Sequence, residues 1–322
     1  MVNLNWYNMK KSIAIDLGGT RIKVGIVNNG KVLSSIFVDA FSDKGLLARL
    51  PIVEENIDHL LKQLDIPNDD IAGIGISIPG IVDSQRMKLL SVNKKFNDAV
   101  EFDFPGWALR KWNKPLIIEN DARCATVGEW RFGAGKGSDN LVMITLGTGV
   151  GGAAIIEGKL LRGKHFQAGC LSGHFTINYQ GDTCNCGNIG CVESEASTWR
   201  LPEKARGHML FSSSQLSAYD IIDYRLVFEL ASGDELSKIL VNQSLDAWSA
   251  GIINSIHAYD PDKVILGGGI MRSHEVILPY IRKKVEQHAW TPWGKVEIVA
   301  AHFPDEAALY GLDYLVNNIQ NT

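Results

Sequence analysis

Residues 16–27, DLGGTRIKVGIV, decide the fold of this chain. The apolar run Ile13–Ile15 leads into two glycines and a threonine, and Ile22, Val24 and Ile26 then alternate with other residues as a returning strand does. No helical pattern follows the glycines, so this is not the strand-to-helix setting of a dinucleotide fingerprint or a Walker loop. The same order of strand, glycine turn with threonine, and strand recurs at residues 145–156, TLGTGVGGAAII. The repetition predicts an internal duplication: two related α/β domains, each presenting one phosphate-binding turn to a shared cleft.

Outward from these turns, Asn28-Asn29-Gly30 has the chemistry of a tight hairpin. A helix is predicted from about Gly45 to Leu64, with Leu46, Leu50, Val53, Ile57 and Leu60 on one face. Strands follow at Ile71–Ile78 and Leu116–Ile118, the second delivering Glu119-Asn120-Asp121 to the start of a helix that runs to about Phe132. Ligands of open α/β sheets gather at carboxyl ends of strands, which draws notice to that triplet. Residues 81–115 are loop-rich, and residues 198–233 read as helix with loops. A long helix over Leu236–His257, a strand at Val264–Leu266, a helix near 275–288, a strand near 296–299 and a helix from Asp305 complete the reading.

Glycine lets backbone N–H groups approach phosphate oxygens, and threonine adds a hydroxyl. Gly18, Gly19 and Thr20 in the first turn and Gly147, Thr148 and Gly149 in the second are therefore candidate phosphate contacts, with Lys23 reaching forward as a point charge. Asp16 would repel phosphate, so its sensible role is to hold Mg²⁺ through the ion's water shell. Gly268 and Gly269, after a strand, can bring backbone close to a purine and ribose; the alternative is a plain strand-to-helix turn. Together the turns form a clamp for ATP.

The stretch Gly173–Glu193, GHFTINYQGDTCNCGNIGCVE, places His174, Cys184, Cys186 and Cys191 where four soft ligands can converge. A closed tetrahedral set of about four N/S donors is the signature of structural Zn²⁺. The loop 174–193 is read as zinc-binding, with Glu193 positioned by the metal; three unligated buried thiols are the alternative. Five cysteines, three of them clustered, suit metal ligation in a reducing compartment better than a disulfide framework.

Composition bounds the remaining classes. The chain has 322 residues, 45% of them hydrophobic, 21% charged, with net charge −4, which is ordinary for about two globular domains. No basic run recommends nucleic acid as a partner, and no apolar stretch reaches the ~18 residues needed to span a bilayer. The first ten residues lack a signal-peptide core, so the expected location is the cytoplasm.

DLGGTRIKVGIV, ENDA at 119–122, LGTGVGG at 146–152, the cysteine stretch and DPDKVILGGGI at 260–270 together resemble the ROK sugar kinases, of the actin-like, hexokinase-type ATPase superfamily. The resemblance covers about residues 11–317. It implies two actin-like (ribonuclease H-like) domains with mixed β-sheets flanked by helices and an interdomain cleft. Residues 1–118 would form the smaller domain, with the helix at about 305–318 packing back on it, and residues 119–304 the larger. It further implies ATP-dependent phosphorylation of a hexose, most nearly glucose, with an N-acetylhexosamine such as N-acetylmannosamine as the alternative. By the same resemblance Asp121 is the catalytic base, and Asn120, His174 and Glu193 contact the sugar. Ser77 and Asn93 lie in segments that line the sugar site in relatives. Relatives are often homodimers, and family repressors carry an N-terminal DNA-binding domain for which only ten residues precede the first strand here.

One departure stands out. The family pattern Gly-Glu-x-Gly-His becomes Gly169-Cys170-Leu171-Ser172-Gly173-His174, with the glutamate absent and one residue inserted. A thiol is a weak acceptor and does not replace a carboxylate that receives sugar hydroxyls. Either Ser172 and the longer loop serve a different sugar, or the protein binds sugar in a regulatory role with weak catalysis.

Overall fold

A computed structural model describes residues 10–318, which form a mixed α/β protein. Contacts divide it into two units. The first runs to Lys136 and includes Arg162–Ala168 and the chain from Asp305 onward; the second comprises Gly137–Leu161 and Gly169–Pro304. Among the described residues no helix is long and apolar enough to cross a membrane.

In the first unit β1 (Lys11–Leu17), β2 (Arg21–Asn28) and β3 (Lys31–Asp39) form an antiparallel meander. Asn29 and Gly30 both take positive φ, 49° and 68°, which is the backbone a two-residue hairpin turn requires. Helix α1 (Leu50–Gln63) buries Val53, Ile57 and Leu60. It starts later than the periodicity predicts, because Pro51 fixes the first turn. Next come β4 (Ile71–Ile78), a small hairpin of β5 (Ile81–Asp83) and β6 (Lys88–Ser91), α2 (Phe104–Trp112), β7 (Leu116–Asn120) and α3 (Asp121–Phe132). The sheet order is β3-β2-β1-β4-β7, with β1, β4 and β7 parallel. Its central strands are buried on both faces, so they read as apolar runs rather than alternating ones.

The second unit repeats this plan. Strands β8 (Leu141–Leu146), β9 (Val150–Ile156) and β10 (Lys159–Leu160) are antiparallel neighbours. Short helices α4 (Val192–Glu195), α5 (Leu201–Gly207) and α6 (Tyr224–Leu230) precede α7 (Glu235–Tyr259), β11 (Lys263–Gly267), α8 (His274–His288) and β12 (Glu297–Ala300). The order is β10-β9-β8-β11-β12, again with three parallel strands after an antiparallel meander. Five strands in the same order and sense, twice, are the topological form of the duplicated sequence pattern.

The helix after the second unit, α9 (Ala307–Asn317), packs on β1, β4 and above all on α3. The two helices touch backbone to backbone: a Cβ on Gly128 would stand 1.9 Å from Ala307 O, and one on Gly311 1.9 Å from Cys124 O. This contact corrects the boundary expected at residue 118. Helix α3 belongs to the first unit because α9 holds it there, and the chain changes unit after Lys136.

Candidate functional site

In the first unit the register sets Asp16 beside Ser77 and Ser77 beside Glu119, so three parallel strands end their side chains on one line. Ser77 Oγ donates to Asp16 Oδ1 at 2.6 Å; its role is to hold that carboxylate. Asp121 opens α3 directly after β7. Its Oδ1 accepts from Ala122 N at 2.8 Å and from Asn120 Nδ2 at 3.0 Å, while Oδ2 meets no donor among the described residues. Burial pushes the Asp121 carboxyl above the usual aspartate range, against its hydrogen bonds and the Lys95 charge. Burial also raises Asp16, the Ser77 bond opposes it, and the Asp121 charge adds to the rise. Two acids in one field with too little compensating charge form a donor set that suits a divalent cation.

Asn120 has a structural duty: its Oδ1 accepts from Arg123 N at 3.1 Å, capping α3, and its Nδ2 also reaches Gly80 O at 3.0 Å. Lys23 differs from expectation. Its ammonium donates to the Asp305 carbonyl and stacks 4.5 Å from the Phe37 ring, and it is nearly inaccessible to solvent. It is held by the chain entering α9 instead of reaching the glycine turn. The N–H groups of Gly18, Gly19 and Thr20 have no protein acceptor among the described residues. Lys95, which no spacing in the sequence singled out, lies over Gly19 instead: a Cβ there would stand 2.9 Å from Lys95 Nζ.

Behind Asn120 and Asp121 is a buried network that sequence reading missed. Glu119 Oε2 accepts from Arg162 Nε at 2.7 Å, and Glu119 Oε1 faces Arg123 Nη1 at 3.4 Å. Arg123 Nη2 donates to the carbonyls of Phe166 and Ala168 at 3.1 and 2.8 Å. This is why Arg162–Ala168 belongs to the first unit although its chain neighbours belong to the second. A Glu-x-x-x-Arg spacing across a strand end and a helix start was the one available signal.

In the second unit Gly147, Thr148 and Gly149 connect β8 to β9. Gly147 N–H closes on Gly149 O at 3.0 Å, and the Thr148 and Gly149 N–H groups have no protein acceptor among the described residues. Gly268, at φ 90°, presses against this edge, where a Cβ would stand 2.3 Å from Leu146 O. Space beside Gly147 and Gly269 is open, so a ligand can approach both backbones closely. Glu193 lies under the turn: Oε2 accepts from Val150 N at 2.8 Å and Oε1 from Trp199 Nε1 at 3.4 Å. A Cβ on Gly149 would stand 2.4 Å from that carboxylate, so Gly149 gives it room.

His174, Cys184, Cys186 and Cys191 are gathered, their ligand atoms all within 4.8 Å of one another. Cys184 Sγ is 3.6 Å from His174 Nδ1, and Cys186 Sγ is 3.8 Å from Cys191 Sγ. Donors on a tetrahedron about 2.3 Å (S) and about 2.0–2.1 Å (N) from an ion lie about 3.8 Å apart sulfur to sulfur and about 3.6 Å sulfur to nitrogen. These two separations match a tetrahedral site, and the Cys186–Cys191 pair is too open for a disulfide. Burial, then the neighbouring thiols, push Cys191 up to about 12, a mutual repulsion that a bound cation would invert. Gly190, at φ 64°, packs so closely that a Cβ would stand 1.5 Å from Asn178 O. Asn188 Nδ2 donates to Cys191 Sγ at 3.4 Å.

Where the glutamate of the resembled pattern is missing, Cys170 is buried and Ser172 is turned inward. Its Oγ donates to Gly169 O at 3.3 Å and packs where a Cβ on Gly152 would stand 2.7 Å away. The hydroxyl thus closes its own loop.

The profile described as the ROK family matches residues 12–319. A glucokinase of Thermotoga maritima is 30% identical over 309 residues, 94% of this chain and 95% of that protein. A xylose repressor of Bacillus subtilis is 28% identical over 338 residues, 96% of this chain and 84% of that one. Among solved structures, a ROK family glucokinase from Streptomyces griseus in complex with glucose and AMPPNP is similar at TM-score 0.75 and 29% identity, covering 95% of this chain and 98% of that one.

Proposed function

Because the chain belongs to the ROK family, we propose that it is an ATP-dependent sugar kinase acting on a hexose hydroxyl, in the manner of the glucokinases it resembles. The observation that carries this reading is Asp121, with one carboxylate oxygen fixed by two donors and the other free at the carboxyl end of β7. That is the arrangement of a positioned base: the group cannot rotate, and its open oxygen can receive a hydroxyl proton.

The hydroxyl oxygen attacks the terminal phosphorus in line, the bridging P–O bond breaks to release ADP, and the hydroxyl proton passes to Asp121. A carboxylate is too weak a base to ionise an alcohol beforehand, so its contribution is orientation and late proton acceptance, about 10²–10⁴-fold. The free N–H groups of Gly18–Thr20 and of Thr148 and Gly149 are offered to phosphate oxygens, and Gly268-Gly269 to the nucleoside. Asp16 is the residue that would hold Mg²⁺ through water, and the ion, when bound, neutralises phosphate charge. His174, Cys184, Cys186 and Cys191 would hold a structural Zn²⁺, a closed set with no position left for a reactive water. With Nδ1 of His174 given to the metal, its Nε2 remains for a sugar hydroxyl. Glu193 and the spare lone pair on Asn120 Oδ1 are the further sugar contacts in this reading.

A second reading, a sugar-binding protein with slow turnover, is favoured by one observation: neither Cys170 nor the inward-turned Ser172 replaces the missing carboxylate. The loss of one hydroxyl partner lowers discrimination and rate strongly. The test is ADP release across glucose, N-acetylmannosamine and N-acetylglucosamine, with calorimetry of each sugar. Rapid release with one of them supports the kinase; tight binding without release supports the second reading. A chain that neither binds nor phosphorylates any hexose refutes both.

A further inference from the structure

We propose that Lys95 is a catalytic residue of this site, its ammonium meeting the terminal phosphoryl oxygens of the nucleotide at the Gly18–Thr20 turn. The inference rests on the kinase reading and adds to it a cation that the sequence pattern did not supply.

The side chain lies along the turn: a Cβ on Gly19 would stand 2.7 Å from Lys95 Cε, 2.9 Å from Nζ and 3.1 Å from Cδ. A glycine at this point is what allows the lysine to lie there. The presentation is built. Lys94 and Phe96, on either side, both take left-handed backbone, φ 57° and 49°, a conformation side chains other than glycine adopt only when their surroundings impose it. Phe96 is fully buried and its N–H donates to Ser42 O at 2.8 Å, while Ser42 Oγ donates to Gly19 O at 2.8 Å. One serine thus ties the lysine segment to the glycine turn.

The Lys95 ammonium has no ion pair and no hydrogen bond among the described residues, whereas Lys23 is tied to the Asp305 carbonyl. A half-buried cation held over unpaired backbone N–H groups, with no carboxylate of its own, points to an anionic ligand. Its field also reaches Asp121. The phosphoryl oxygen that is near both the turn and the proton acceptor belongs to the group being transferred, which selects the terminal phosphate over the inner ones. Lysine suits that task as a compact point charge.

The experiment compares the parent, Lys95→Met and Lys95→Arg by calorimetry with ATP and with ADP, by steady-state kinetics, and by thermal unfolding. Methionine keeps the stem over Gly19 and removes the charge. The expected result is that Lys95→Met erases the parent's preference for ATP over ADP. It should lower kcat/KM for ATP by about 10²–10³-fold, leave sugar affinity and unfolding unchanged, and be partly rescued by arginine. An unchanged ATP preference with kcat close to the parent's overturns the proposal. Lost sugar affinity with ATP preference intact also overturns it, and places the charge at an anionic substituent of the sugar. Should the parent phosphorylate no hexose, the kinase reading fails, but the ATP-against-ADP comparison still decides Lys95.

Discussion

Asp121→Asn separates the proton acceptor from the scaffold. Asparagine keeps Oδ1, so the bonds from Ala122 N at 2.8 Å and Asn120 Nδ2 at 3.0 Å persist, and its new NH₂ occupies the place of Oδ2, which has no donor to oppose it. The structural change is therefore small, and the chemical change is complete, because an amide accepts no proton. Loss of the base predicts a fall in kcat of about 10²–10⁴-fold, which is about 2.7–5.4 kcal/mol at about 1.36 kcal/mol per decade. Stability should move the other way. Burial raises the folded pKa of Asp121, so the folded protein holds that proton more tightly than the unfolded chain does. The stability tied to that proton is fully present below the ordinary aspartate value and is lost as pH rises through the raised folded value. Ionising Asp121 in the ligand-free parent therefore carries a burial cost that the asparagine variant does not have. We expect its melting temperature to equal or exceed the parent's at pH 7, with the advantage vanishing below about pH 4. The assay is coupled ADP release at saturating sugar, beside thermal unfolding at both pH values. A variant with kcat within about threefold of the parent refutes the base, since the predicted loss starts at about a hundredfold. One melting several degrees lower at pH 7 refutes the electrostatic reasoning.

Metal analysis of protein purified without chelator should return about one zinc per chain, and Cys186→Ser should lower both zinc content and melting temperature; protein free of zinc but equally stable rejects the metal. Gly190→Ala forces a left-handed non-glycine residue and a Cβ 1.5 Å from Asn178 O. It should lose more than about 2 kcal/mol in urea unfolding, with zinc released in parallel. Glu119→Gln strips the carboxylate from the fully buried Arg123 and from Arg162. Breaking such a pair costs about 3–5 kcal/mol, so the variant should unfold at markedly lower denaturant and become sensitive to proteolysis within residues 162–168.

Much of this molecule was legible because its information is local. Two copies of a strand, a glycine turn and a strand announced two units, and the structure shows the strand order repeated. Four soft ligands within a short loop announced a cluster, and their ligand atoms lie within 4.8 Å of one another. The boundary at residue 118 was misread because what holds α3 in the first unit is α9, a helix more than half the chain away, touching it through Gly128 and Gly311. No property of residues 119–132 alone contains that contact. Lys23 and Lys95 show the same limit for the site. Lys23 sits next to the turn in sequence and is drawn off by the Asp305 carbonyl; Lys95 sits far away and is brought in by Phe96 and Ser42.

Under the proposed function, the duplication also bears on how chemistry would be divided between the units. Strand order makes β8 the counterpart of β1 and β12 the counterpart of β7. In the first unit Asp16, Ser77 and Glu119 lie in line and Asn120-Asp121 follow; in the second Thr145 lies beside Gly267, and Ala301, His302 and Phe303 follow β12. A glycine turn that cradles phosphate needs only backbone N–H groups and tolerates either Asp16 or Thr145 ahead of it. Carboxylates gathered at one end of a sheet are costly to ionise: burial raises both here, and the Asp121 charge adds to the rise of Asp16. The second unit avoids them at the equivalent strand ends and instead places glycines after β11, at Gly268-Gly269, where the first unit has Pro79-Gly80 after β4. An acid of this unit, Glu193, arrives from outside the repeated strands, on the loop gathered by the cysteine cluster, and accepts hydrogen bonds from Val150 N–H and the Trp199 indole. Under the proposed function, one topology carries an acidic end suited to proton and cation chemistry in the first unit and a carboxylate-poor end suited to nucleotide in the second.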